Sequence, residues 1–380
     1  MLSVLFIWHA AVLTANQKYL HHMAADSDLA ITLLIPPRWD ESTAMVEAQL
    51  PPSDSRYHVR IDEVHKGCKG LSYRFRNIRE TLRQVQPDVI FLYEEPYSYV
   101  AWQVMYWKRK LCPQARLIFY TWQNLDCRYP FLRRQIESYV FRHSDLAVAG
   151  SQDVEDVLRL HGYKKEIRRI PLAIDPVDFP APSSPASRDE LRDQLGLQQF
   201  IIGYIGRLAR EKGLEDLFHA LGLLQHIPWQ LLMIGGGPDE ASLRETAVQE
   251  GISPRIVWIP YVKNTEMHRY YAAMDCFVLP SRTTKDWKEQ FGRVLIEAMI
   301  CGTPVLGSSS GEIPVVIGDA GLIFREQDPK SLAESMEKIL LDQSLRNQLA
   351  EKGQQRVMAH YTWERVGLET ARLVKEVAEL

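Results

Sequence analysis

Two carboxylates stand eight residues apart in the run KEQFGRVLIEAMICGTPVLGSSSGEIP (288–314), with Glu289 ahead of Phe291-Gly292-Arg293 and Glu297 beyond them. A helix starting near Gly292 would place Glu289 at its mouth and Glu297 on its second turn. Carboxylate oxygens accept hydrogen bonds from sugar hydroxyls, and the first N–H groups of a helix can meet a phosphate. Each acid also has an ordinary reading: Glu289 as a charge favoured by the helix dipole, Glu297 as an exposed helix residue. Partners elsewhere in the chain decide between these. In YIGRLAREKGLEDLF a buried strand ends at Gly206, and Arg207 and Lys212 lie in the loop before a helix whose start is marked by Gly213. Two cations beside a helix N-terminus at a strand's carboxyl end suit a phosphate, although exposed loop charges need no ligand. Together these residues form a kit for a sugar–diphosphate–ribose ligand, with Glu289 reaching a hexose and Glu297 a ribose. The glycines of MIGGGPDE match neither a dinucleotide fingerprint nor a Walker loop, and read as a tight turn.

These residues need a scaffold that presents loops at the ends of buried strands, and the apolar pattern supplies one. Short runs such as LSVLFIW (2–8), AITLLIP (30–36), DVIFLY (88–93), RLIFYT (116–121) and DLAVAG (145–150) recur through the first half. FIIGYIG (200–206), QLLMIGG (230–236), RIVWIP (255–260), CFVLPS (276–281), GTPVLG (302–307) and GLIF (321–324) recur through the second. Apolar runs of this length, alternating with helical patterns, predict parallel strands covered on both faces. The Pro/Ser/Asp-rich stretch 173–190 reads as a linker. It separates a first domain, 1–175, from a second, 190–362; the amphipathic segment 363–380 is expected to pack back on the first. The fold class is α/β, two tandem doubly wound Rossmann-like domains, with ligands beyond the carboxyl ends of the strands and a cleft between the domains as the default site.

The second half also resembles a known family. EQFGRVLIEAMICGTPVLG is similar to the Glu-x7-Glu signature of glycosyltransferase family 4, retaining enzymes of the GT-B fold. GRLAREKG, IPYV with MHRYYAAMDCFVLPS, and GEIPVVIGDAGLIF resemble its other landmarks in the same order, over about residues 195–365. The resemblance implies that Arg207 and Lys212 hold the donor diphosphate, Glu289 meets the donor sugar and Glu297 the ribose. It places Gly206, Phe291 and Gly292 in the donor-binding set and Tyr261 and Val262 near the nucleobase. It further implies transfer from a nucleoside-diphosphate sugar to a hydroxyl acceptor with retention, the leaving diphosphate helping to take the acceptor's proton. The first domain departs from the pattern: HAAVLTANQ replaces a Gly-Gly turn, and Gln123 or Asn124 stands where relatives carry a histidine. Gln123 can donate a hydrogen bond to the donor sugar or serve the turn, but it cannot act as a base.

Further first-domain candidates lie just beyond strand ends. Glu94 and Glu95 in YEEPYS either bind acceptor hydroxyls or cap a solvated strand end, and His9 is either an acceptor-side residue or a core-edge histidine. Trp102, Tyr106 and Trp107, with Lys108–Lys110 following, read as a core-facing helix with a basic end; a surface resting on a membrane is the sharper alternative. Residues 56–83 carry Arg56, Arg60, Lys66, Lys69, Arg74, Arg76, Arg79 and Arg83 against Asp62, Glu63 and Glu80. Such a cluster is a solvated face or suits an anionic surface.

Composition sets the outer limits. A chain of 380 residues, 46% hydrophobic and 24% charged with net charge −3, is expected to form two globular domains and not a nucleic-acid coat. Cys68, Cys112, Cys127, Cys276 and Cys301 show no Cys-x-x-Cys spacing, which argues against a zinc site and fits a reducing cytoplasm. MLSVLFIWHAAVL lacks a basic flank and reads as a first strand, not a leader. No Asp-x-Asp lies at a strand end, so neither a metal nor another cofactor is expected. The expected partners are a nucleotide-sugar donor and a carbohydrate or lipid-linked acceptor. Peripheral contact at the inner face of the membrane is a further expectation. An oxidoreductase would need a Gly-x-Gly-x-x-Gly after a strand, and an epimerase its own acid–base set; neither is found. A non-catalytic binding protein on the same fold remains the other reading.

Overall fold

Strands with no polar face must be covered on both sides, and helical crossovers between parallel strands supply that cover. The computed structural model describes residues 1–40, 45–65, 70–180 and 185–380, which form two units. Lys66, Cys68 and Lys69 of the basic and cysteine sets, and residues 181–184 of the linker stretch, lie outside the described residues.

The main sheet of the first unit, Met1–Pro171 with Trp363–Leu380, has seven strands among the described residues. They are β1 (Leu2–Ile7), β2 (Leu29–Ile35), β3 (His58–Ile61), β4 (Val89–Leu92), β5 (Arg116–Thr121), β6 (Leu146–Ala149) and β7 (Ile167–Arg169). Their order is β7-β6-β5-β4-β1-β2-β3, all parallel. Ile7 stands opposite Leu34 on one side and Leu92 on the other, and the last four residues of β1 are fully buried. The chain runs outward from β1 to β3, then returns to β4 on the opposite side of β1. The loops after β1 and β4 therefore leave toward opposite faces, which opens a crevice at the carboxyl ends of these two strands.

The second unit, Leu172–Thr362, repeats the device. Its strands are β8 (Phe200–Ile205), β9 (Trp229–Ile234), β10 (Ile256–Ile259), β11 (Cys276–Leu279), β12 (Val305–Ser308) and β13 (Gly321–Phe324). The order β10-β9-β8-β11-β12-β13 puts the reversal between β8 and β11.

Every apolar run named from the sequence lies on a strand. The main-sheet strands not named, β3 and β7, are the two edges of the first sheet; HVRI and IRR are short, half exposed and carry no continuous apolar stretch. The linker stretch is more ordered than its composition implies. It contains a 3-10 turn at Pro176–Asp178, and the helix Pro185–Gln194 begins inside it. Proline is tolerated in a first helical turn, whose N–H groups have no partner anyway, so Pro185 opens a helix where it resembled a breaker.

The helices of the two units include α1 (Thr14–Met23), α2 (Tyr99–Leu111), α3 (Leu214–Leu223), α4 (Arg293–Ile300) and α5 (Trp363–Ala378). The expectation that the aromatics of α2 face the core is corrected. Val100, Ala101, Val104 and Met105 take the core side, while Trp102 is 38% exposed and Tyr106 and Trp107 are half-buried. Cations cover the outer rings, with Arg79 5.2 Å from the Trp107 centroid and Lys110 4.4 Å from that of Tyr106.

Helix α5 lies on α1 in the first unit. Trp363 stacks on Tyr19 at 5.8 Å, and Lys375 pairs with Asp26 and Asp28. The close approach needs Gly367: a Cβ there would stand 2.8 Å from the Tyr19 carbonyl oxygen and 2.9 Å from the His22 Cβ. Gly367→Val should therefore cost about 1–3 kcal/mol in urea unfolding through overpacking. Leu368→Ala, at the exposed neighbouring position, should stay within about 0.5 kcal/mol.

Candidate functional site

The carboxyl ends of β8 and β11 gather the carboxylates and cations of the second unit. The loop after β8 carries Gly206, Arg207 and Lys212, and the loop after β11 carries Ser281, Trp287 and Glu289. Lys212 Nζ donates to Glu289 Oε2 at 2.7 Å, and the Ser281 hydroxyl donates to the same oxygen at 2.7 Å. The Lys212 ammonium also lies over the Trp287 ring, 4.5 Å from its centroid. The side chains of this ion pair are mostly buried, at 19% and 10% exposure, so water screens it weakly.

Two glycines hold these loops together. Gly213, at φ +65°, ends the turn after Lys212; a Cβ there would lie 2.0 Å from the Pro280 carbonyl oxygen. Gly311, at φ +56°, brings the loop after β12 against Glu289, where a Cβ would lie 2.0 Å from the Glu289 carbonyl oxygen. Glu312 N–H then donates to that oxygen at 3.2 Å. The GEIP segment thus supports the backbone of Glu289. Gly213 and Gly292 are the N-caps of α3 and α4, and neither helix has a side-chain cap on its first N–H groups. Each end therefore keeps the donor character that anions seek.

The other donor-side candidates fall into distinct environments. Arg207 is 63% exposed and ion-paired with Glu211 one turn on, away from the Lys212–Glu289 pair's own bonds. Glu297 accepts from the Tyr271 hydroxyl at 2.8 Å and from Arg293 Nε at 2.9 Å. Burial pushes its carboxyl up, while Arg293 and Tyr271 oppose the shift. Phe291 is buried and meets Tyr361 edge-on at 5.6 Å, so its side chain serves the core, not an open donor surface. Tyr261 is 75% exposed beside buried Val262. Gly206 closes β8, its N–H donating to the Ile234 carbonyl.

In the first unit the reversal between β1 and β4 joins residues that the sequence offered separately. Glu94 Oε1 accepts from the His9 backbone N–H at 2.9 Å and from the Tyr73 hydroxyl at 2.6 Å, and lies 2.7 Å from His9 Nδ1. Trp39 lies 4.3 Å from the His9 ring. Glu95 turns to the other side, toward β5, accepting from the Thr121 hydroxyl and from Trp122 N–H. Gln123 is spent on its own loop: Nε2 donates to the Leu125 carbonyl and Cys127 Sγ, and Oε1 accepts from the Tyr97 hydroxyl. These are the contacts that the turn reading of Gln123 expects.

Ser281, Trp287, Tyr73 and Tyr271 were missed in the sequence. Ser281 alone carried a signal, as the polar residue ending CFVLPS; Tyr73 and Tyr271 reach their acids, and Trp287 its lysine, through folds in the chain that no spacing encodes.

Residues 187–356 match the model of the family described as glycosyl transferases group 1. D-inositol 3-phosphate glycosyltransferase of Corynebacterium jeikeium is 30% identical over 269 residues, 66% of this chain and 62% of that protein. The chain thus spans about three fifths of that relative's length. Anabaena HepE in complex with UDP superposes with a TM-score of 0.76 at 16% identity, covering 99% of this chain and 100% of that one. Sucrose-phosphate synthase from Thermosynechococcus elongatus gives 0.71 at 22% identity, covering 99% of each. At these identities the two structures show a shared fold, the GT-B arrangement of two Rossmann-like domains.

Burial of the Glu95 carboxyl pushes it up to about 7 from an ordinary 4.5, although the Thr121 and Trp122 hydrogen bonds pull it down. A carboxyl that binds its proton more tightly when folded stabilises the fold fully below pH 4.5, and that contribution is lost as pH rises through 7. Glu95→Gln should remove this loss, flattening the decline in urea-unfolding stability between pH 5 and 8 by on the order of 2 kcal/mol.

Proposed function

The chain carries a glycosyl transferases group 1 domain at residues 187–356, and from that premise we propose that it moves a sugar from a nucleoside-diphosphate sugar to a hydroxyl acceptor, with retention at the anomeric carbon. One observation carries the reading: Lys212, Ser281 and Glu289 converge where the strand order of the second unit reverses, beside two helix N-termini without side-chain caps. In this reading a diphosphate takes Lys212 as its counter-ion and uses the first N–H groups of α3 and α4. Glu289, released from the lysine, accepts hydroxyl hydrogen bonds from the donor sugar while Ser281 fixes its other approach. Arg207 swings from Glu211 to the phosphates, and Glu297 accepts from the ribose. Charge developing on the leaving diphosphate meets donors already in place, which lowers the barrier without reorganisation. No metal or other cofactor is assigned a part.

The acceptor in this reading is a carbohydrate or lipid-linked hydroxyl in polysaccharide or glycolipid synthesis, met at the cytoplasmic face of the membrane. The outer face of α2 supports that placement, with Trp102 exposed and Phe131 and Leu132 exposed on the helix Phe131–His143. Among the described residues no helix is long and apolar enough to cross a membrane. Co-sedimentation with anionic lipid vesicles should fall clearly in a Trp102→Ala/Phe131→Ala/Leu132→Ala variant; equal pelleting of variant and wild type would remove the membrane from the reading.

The central test pairs binding with turnover. UDP, GDP or ADP at about a hundred times its dissociation constant should stabilise the chain by roughly 2.7 kcal/mol, read as a thermal shift. One of the three is expected to act and the others not. Glu289→Gln should keep the fold and that shift while losing at least roughly 100-fold in sugar transfer. A chain stabilised by none of the three would not be a nucleotide-sugar enzyme.

A further inference from the structure

The ion pair of the second unit has a third member to which the donor reading gives no role. The Trp287 ring lies against the Lys212 ammonium, 4.5 Å from ring centroid to Nζ, while Glu289 takes one of the lysine's N–H groups. The two partners act differently on that charge. A carboxylate neutralises the ammonium and occupies a donor, so it competes with any anion that comes to the same nitrogen. The face of an indole attracts a cation through its quadrupole and brings no negative charge. A lysine has three donors, and among the described residues Nζ makes one hydrogen bond. The ammonium between ring and carboxylate therefore keeps N–H groups in hand for a ligand.

The chain fixes the loop that carries this ring. Arg282 N–H donates to the Glu211 carbonyl at 2.9 Å, which ties the loop after β11 to the turn that holds Lys212. Thr283 gives both its N–H and its hydroxyl to the Glu326 carboxylate, just beyond β13. Thr284 N–H donates to the Trp287 carbonyl at 2.8 Å and closes the loop on itself. Lys285 and Asp286 stand exposed at its tip, and Trp287 returns half-buried against the lysine. A lysine ends in a long flexible stem whose ordering costs entropy. A ring held in this way orders the stem before any ligand arrives.

We propose that Trp287 is a positioning residue that keeps the Lys212 ammonium in place for the donor diphosphate when Glu289 turns to the donor sugar. The proposal rests on the transferase reading and adds to it the group that holds the cation through that exchange. In the empty site, ring and carboxylate share the ammonium. With donor bound, the carboxylate accepts from sugar hydroxyls and phosphate oxygens take its place at Nζ, while the contact with the ring persists. The lysine is ordered on both sides of the exchange, so binding does not have to order it again. Trp287 acts through Lys212. An apolar side chain that only filled the same space would supply no such hold, which makes the dependence on the ring itself the point to test.

Calorimetric titration of the full chain with UDP, GDP and ADP gives the affinity for whichever of them binds. Trp287→Leu should weaken that affinity roughly 3–30-fold, and Trp287→Phe, with a weaker ring, should fall between leucine and wild type. The same two substitutions are then made beside Lys212→Met. A ring that works through the lysine has nothing left to hold there, so its loss should change the affinity by less than about twofold. Urea unfolding of each variant checks that the fold is kept; should Trp287→Leu not fold, the phenylalanine variants carry the comparison. Affinity of Trp287→Leu within about twofold of wild type would overturn the proposal. So would an equal loss with and without Lys212, because Trp287 would then act independently of the lysine. A wild-type chain that binds none of the three diphosphates would instead remove the transferase reading, and this proposal with it.

Discussion

A strand buried on both faces cannot carry a functional side chain along its length, so every polar group that does chemistry must sit in a loop at its end. Where the strand order reverses, two such loops diverge to opposite faces of the sheet and leave room between them. Both units of this chain have one reversal, beside their first strand. Both fill it the same way: the loop after the central strand supplies a nitrogen, and the loop after the returning strand supplies a buried glutamate. In the second unit the pair is Lys212 and Glu289, in the first His9 and Glu94.

The two pairs differ in what they can give up. The ion pair of Lys212 with Glu289 offsets the cost of holding two charged groups largely out of water. In the proposed reading, an arriving dianion and a sugar hydroxyl replace each group for the other. The histidine pair has no permanent cation. Its carboxylate meets the ring at Nδ1 and the backbone N–H of the same residue. The glycine contacts behind Glu289 show how tightly the first pair is framed: a side chain at Gly213 or Gly311 would strike backbone, not a side chain able to move aside.

Much of this was legible in the sequence because buried parallel strands are written as unbroken apolar runs. The two main-sheet strands that escaped, His58–Ile61 and Ile167–Arg169, are edges, where one side meets water and the run breaks. Residues 289, 207 and 212 were recognisable because each is a charged residue just beyond such a run or at a glycine turn, and 297 because it lies on the second turn of the helix that Gly292 opens. What could not be read was pairing. Nothing in the spacing joins Lys212 to Glu289 across 77 positions, or His9 to Glu94 across 85. The aromatics of α2 misled for a related reason: Trp102, Tyr106 and Trp107 share a helical face, and periodicity cannot say whether that face turns inward or carries Arg79 and Lys110 outside.

The placement of α5 has a consequence for how the chain comes into being. The unit that contains residue 1 is closed by residues 363–378, so it is begun first and finished after the whole second unit has been made. At the usual rates of about 5–20 residues per second, the intervening stretch takes on the order of 10–40 s to emerge. Throughout that interval the side of α1 that receives Trp363 and Gly367 has no cover, and a nascent chain with an open apolar stripe is where a holding chaperone has its chance to bind.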